Sequence, residues 1–82
     1  MKHARPDYDL IQDPRGLIPE DEPVFLLRAQ DVTAPDAVRY WAMRAGEAGA
    51  LKNITDAAEE QAEAMVEWQR EHEIKIPDMP LV

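Results

Sequence analysis

The sequence predicts a mainly α fold: an antiparallel helical hairpin with an extended, proline-rich N-terminal arm and two short β segments, 24–28 and 74–76. Three observations predict it. Apolar residues recur at helical spacing over two stretches, 33–48 and 53–73. Gly46 and Gly49 fall where such a hairpin would turn. Four of the seven prolines crowd into residues 1–23, where no period is sustained.

The arm comes first. Pro6, Pro14, Pro19 and Pro23 each remove a backbone donor and bias the preceding residue toward extended geometry. Asp13-Pro14-Arg15-Gly16 places Asp, Pro and Gly at the positions a type I turn favours. Tyr8, Leu10, Ile11, Leu17 and Ile18 are apolar enough to dock the arm on a body or a neighbouring subunit. Val24-Phe25-Leu26-Leu27 is a short run, β-branched and aromatic at its start and bounded by proline and polar residues, and it reads as a strand. It needs a partner, and Ile74-Lys75-Ile76 offers one: an antiparallel helix pair returns the chain to its start, where the two segments can pair antiparallel.

Thr33 is the expected N-cap of the first helix, with Asp36 three residues on and Pro35 in the tolerant first turn. Its apolar stripe is Val38, Trp41, Ala42 and Ala45. Asn53 or Thr55 is expected to cap the second helix, with Asp56 and Glu59 in a first turn that favours acids. Ile54, Ala57, Ala58, Gln61, Ala62, Met65, Trp68 and His72 form one broad face. The alanines permit close helix approach, and the two tryptophans are expected to supply much of the buried area, at about 25 cal/mol per Å². The division is therefore an arm (1–23), a strand–helix–helix–strand core (24–76) and a tail (77–82).

Composition bounds the function. Eighty-two residues make one thin-cored domain, with no cysteine to staple it. Self-association is the remaining staple, so a homo-oligomer is expected. Seventeen acidic against nine basic residues, a net charge of −8, argue against duplex nucleic-acid and anionic membrane binding and suit a basic partner. The same charge also serves solubility. Met1–Asp13 has no apolar h-region, and no apolar run approaches a membrane span, so a cytoplasmic protein is expected.

Two constellations carry the functional readings. Asp56, Glu59, Glu60, Glu63 and Glu67 form an acidic face on the second helix; its like-charge i,i+4 pairs cost about 0.2–0.5 kcal/mol each, with only Arg70 nearby to offset them. The face can dock a basic surface or mimic phosphates, or it can be plainly solvated. Arg15, Arg28, Gln30, Asp31, Arg39, Tyr40 and Arg44 could together hold a small anionic, nucleotide-like ligand: Arg forks phosphate, Tyr stacks a base, Gln or Asp reads polar edges. The plain alternative is local pairing, Arg39 with Asp36, Arg44 with Glu47, and a cap from Asp31. His72, between Glu71 and Glu73, has no second His or Cys at ligand spacing; it is well placed against the helix dipole, and no metal is expected. The chain has no serine, no cysteine and no glycine-rich phosphate loop, so neither catalysis nor a cofactor is expected.

The stretch Ile11-Gln12-Asp13-Pro14-Arg15-Gly16, followed by IPEDEPVFLLRAQD and then APDAVRYWA, resembles a family of small accessory proteins encoded by tailed bacteriophages and prophages. The similarity runs from Tyr8 to Trp68. It implies a phage or prophage origin and an accessory role, often one that antagonises host defence, and it assigns no ligand residue. Three functions are then expected to compete: an oligomeric sponge for a nucleotide-like immune signal, an acidic inhibitor on a basic host enzyme, or a structural or assembly component.

Overall fold

A computed structural model describes residues 1–5 and 13–77. They fall into two compact units, one within 1–27 and one within 28–77. Residues 24–27 thus group with the N-terminal segment, not with the helices.

In the N-terminal unit, β1 (Lys2–His3) pairs in parallel with β2 (Pro23–Val24). Pro23 opens β2, the strand position at which a missing N–H is tolerated. The turn at Asp13 forms as its chemistry dictates: the Gly16 N–H donates to the Asp13 carbonyl at 3.0 Å, and Gly16 adopts φ +62°. The Asp13 carboxylate accepts the N–H groups of Leu17 (3.1 Å) and Ile18 (2.9 Å), which locks the turn. Tyr8, Leu10 and Ile11 lie outside the described residues, as does most of the 77–82 tail.

The second unit is the helical hairpin. α1 spans Ala34–Glu47 and α2 spans Lys52–Glu71, within two residues of the bounds read from periodicity. A four-residue turn joins them, with Gly49 at φ +101°, a conformation that favours glycine. The Ala50 N–H reaches back to the Ala45 carbonyl at 2.9 Å and closes the end of α1.

Thr33 is the N-cap of α1 as expected, but its side chain makes no cap bond, and α2 is capped at Leu51 instead of Asn53 or Thr55. The Thr33 hydroxyl donates to the Asp31 carboxylate at 2.6 Å, and that carboxylate also accepts the Thr33 N–H at 2.8 Å. Thr33 therefore occupies the cap position of α1 without a side-chain cap bond, and Asp31 organises the entry instead. α2 starts earlier than expected, after Leu51, so Asp56 lies beyond the first turn, which holds no acid. The Thr55 hydroxyl turns back to the Lys52 carbonyl at 3.1 Å.

Val24 pairs with His3 of β1, not with the 74–76 segment. Residue Lys75 bridges Asp31 instead, and the pairing is parallel. The Lys75 N–H donates to the Gln30 carbonyl at 2.7 Å, and the Val32 N–H donates to the Lys75 carbonyl at 3.0 Å. The physical reason is distance along the chain. Asp31 is three residues before α1, at the mouth of the hairpin, and a turn closed by the Asp31 N–H on the Arg28 carbonyl precedes it. After α2 the chain leaves through an extended His72, so 74–76 runs beside the entry to α1 in the same direction.

The core is small side chains. Among the described residues Ala34, Ala42, Ala62 and Met65 are buried, Pro35 with them, and no large side chain is fully enclosed. Alanine at the contact lets the helix backbones come close, and that closeness leaves no room for indoles between them. Trp41 is 52% exposed and Trp68 38% exposed. The expectation that both fill the core is therefore corrected: Trp41 lies beside buried Ala42 and Trp68 beside half-buried Gln69, on the flank of the hairpin.

Candidate functional site

The hairpin sets where each candidate residue points. At 100° per residue, Asp56, Glu59, Glu60, Glu63 and Glu67 fall within about 100° of arc on α2, so the acidic stripe is one face. Its charges are partly paired. Arg39 of α1 crosses to Glu63 at 3.4 Å. Lys52 holds both oxygens of Asp56 at 2.8 and 3.0 Å, and Arg70 pairs with Glu67. The Asp56 hydrogen bond first, and its charge second, raise the Lys52 ammonium above its ordinary pKa of 10.5. Among the described residues Glu59 and Glu60 have no ion-pair partner, and both are exposed. The stripe is thus offset at Lys52, Arg39 and Arg70 and bare at its middle. The part played by Lys52 and Arg39 was not legible as relief of the acidic face. Lys52 became so only once α2 was seen to start there, and Arg39 only with the hairpin register.

The basic set divides differently. Arg15 sits in the Asp13 turn, exposed, in the N-terminal unit. Arg28 is exposed beside the turn that leads to α1. Gln30 gives its carbonyl to Lys75, and Asp31 gives its carboxylate to Thr33. Arg39 is held by Glu63, not by Asp36. Arg44 meets Glu47 at 3.6 Å, the local pair expected for it. Tyr40 is exposed and projects about 100° around α1 from Arg39, while Arg44 lies about 15 Å along the helix from its start. Tyr40 and Arg44, one turn apart, share a side of α1.

Gln69 carried no sequence signal, and the sequence placed His72 on the broad face of α2 and against the helix dipole without announcing its stack. Gln69 donates its amide to the Ala29 carbonyl at 2.9 Å and to the Asp31 carbonyl at 3.0 Å. It clamps α2 to the segment that feeds α1, a long-range contact that no local pattern announces. His72 stacks on Trp68, ring centroids 3.9 Å apart and ring planes nearly parallel at 5°, with Nδ1 2.8 Å from the Trp68 carbonyl oxygen. That geometry holds the exposed indole in one orientation.

No helix among the described residues is long and apolar enough to cross a membrane. Comparison with protein-family models, curated proteins and solved structures finds no match to this chain.

Proposed function

We propose that this protein acts by binding, without catalysis, as a phage-type accessory protein that neutralises a component of host defence. In this reading the acidic face of α2 covers a basic surface on a host enzyme. The observation that carries it is the bare middle of the stripe: Glu59 and Glu60 stand exposed and unpaired among the described residues, between carboxylates that the chain pairs itself. A basic partner would supply the cations the chain lacks there, and a net charge of −8 would steer the encounter. The phage setting rests on the sequence resemblance alone. The sponge reading draws on the same resemblance, and it requires several copies to bring Arg28, Gln30, Arg39 and Tyr40 together.

The test is phage plaque formation on bacteria that carry a defence system and express the protein. The inhibitor reading expects restored plaques, lost with Glu59→Gln/Glu60→Gln and kept with Arg28→Ala. Loss with Arg28→Ala and retention with the glutamine pair would transfer the role to a nucleotide-like ligand. No restoration by the unaltered protein across a panel of defence systems would contradict counter-defence.

A further inference from the structure

The entry to α1 carries fastenings of its own. The Asp31 N–H closes a turn on the Arg28 carbonyl at 3.0 Å, and the Ala34 N–H donates to the Asp31 carbonyl at 3.0 Å. The Asp31 carboxylate holds both the N–H and the hydroxyl of Thr33. Gln69, half-buried on α2, clamps the same stretch through the carbonyls of Ala29 and Asp31. None of these bonds involves residues 72–77.

Residues 72–77 run beside that entry by different means. α2 ends at Glu71, and His72 leaves the helix extended, at φ −133° and ψ 162°. Further on, Lys75 takes one place in a parallel pairing: its N–H meets the Gln30 carbonyl at 2.7 Å, and its carbonyl accepts the Val32 N–H at 3.0 Å. At the start of the segment the His72 ring folds back on α2, stacked on Trp68 with Nδ1 at the Trp68 carbonyl oxygen. Every residue from 72 to 77 is exposed, Ile74 at 47% and Ile76 at 81%. The segment therefore buries little apolar area, and segments of that kind open at low free energy. Its exposed backbone bonds add little net stability, because water replaces them on opening.

We infer that residues 72–77 form a detachable strap: they open as one unit while the hairpin stays folded, and the His72 stack is the catch that holds them shut. The two Lys75 bonds come from one residue, so they part together. The entry to α1 keeps its turn, its Asp31 bonds and the Gln69 clamp when the strap leaves. The buried contact between the helices, at Ala42, Ala62 and Met65, lies outside the strap. His72 works as the catch because it sits at the hinge, where the ring contact and the Nδ1 contact fix the direction in which the chain leaves α2. Opening frees the Gln30 carbonyl, the Val32 N–H and the face of the Trp68 indole that His72 covers. A backbone donor and acceptor so placed are what an extended segment pairs with, and the closed strap withholds them. The device stands apart from the counter-defence reading, because it uses no residue of the acidic face.

Amide hydrogen exchange of the full chain, followed by NMR and corrected for intrinsic rates, tests it beside the His72→Ala and Trp68→Leu variants. The Val32 and Lys75 amides are expected to exchange together, at least about tenfold faster than those of Ala62 and Met65, because the strap opens without the core. Both substituted side chains are exposed, so the helical circular dichroism should survive each change. Trp68→Leu removes the ring stack and should speed Val32 and Lys75 by about threefold or more. His72→Ala removes the Nδ1 contact as well and should speed them by about tenfold. The amide of Ala34, which belongs to the entry, and that of Met65 should change less in both variants. Val32 and Lys75 amides as slow as Met65, rates that neither variant raises, or an acceleration shared equally by Ala34 and Met65 overturns the inference.

Discussion

On one side of the hairpin Arg39 reaches Glu63 across the helices, and Lys52–Asp56 and Arg70–Glu67 pair along α2. On the other, Trp41, Ile54 and Trp68 are exposed, with the His72 ring stacked on Trp68. The same two helices build both sides. The difference teaches where each kind of residue is satisfied. Of the six carboxylates on α2, three (Asp56, Glu63 and Glu67) meet a cation within the hairpin, at little net energy, because exposed ion pairs contribute only about 0–1 kcal/mol each. The apolar residues, which carry most of the available energy, are the ones the single chain leaves exposed.

The largest effect should come from the layer between the two sides. Met65 is the one large side chain in the core, at 8% exposure. Met65→Ala should cost about 2–3 kcal/mol, a large part of the roughly 3–5 kcal/mol that a core of this size supplies. Urea unfolding followed by circular dichroism would show it, and an unchanged midpoint would place the core elsewhere. A much smaller effect is expected on the charged side. Arg39→Gln should shift stability by about 0.5 kcal/mol or less, and the shift should vanish in molar salt. A larger, salt-resistant loss would mean that this side holds the hairpin together and would reverse the comparison.

The smallest effect is a titration. Lys52 has a raised pKa, so its pair with Asp56 stabilises the fold below 10.5, and that contribution disappears as pH rises through the folded-state value. Asp56→Asn should return the ammonium toward its ordinary range in an NMR titration of the Lys52 side chain. No change on substitution would mean that the pair does not persist in solution.

Both helices were legible because their apolar period extends over several turns, and the Asp13 turn because Asp, Pro and Gly act locally. Which seam of α2 faces α1 was not legible. The broad face read from the sequence, Ile54 through His72, merges two seams one residue apart, and periodicity cannot choose between them. Packing buries Thr55, Ala58, Ala62, Met65 and Gln69, wholly or in part, against α1, and Trp68 falls outside that set. Trp41, beside buried Ala42, likewise falls outside the buried side of α1. Pairings that depend on hairpin register were likewise hidden: Arg39 with Glu63, Gln69 with the carbonyls of Ala29 and Asp31, and Lys75 with Asp31. Arg39 and Glu63, read from the sequence as parts of two rival sites, hold each other. The local alternatives, Arg44 with Glu47 and the cap from Asp31, needed only neighbours in sequence and are present.

The central claim is that the two sides of the hairpin differ: Arg39 meets Glu63 on one, while Trp41 and Trp68 stay open to solvent on the other. The chain has two tryptophans, so its nitrogen–proton correlation spectrum holds two indole signals. The measurement is that spectrum as a soluble paramagnetic agent is added. The account predicts that both indole signals broaden early, while the backbone amide of Ala62, in the buried contact, keeps its intensity. Indole signals as protected as the Ala62 amide would contradict it.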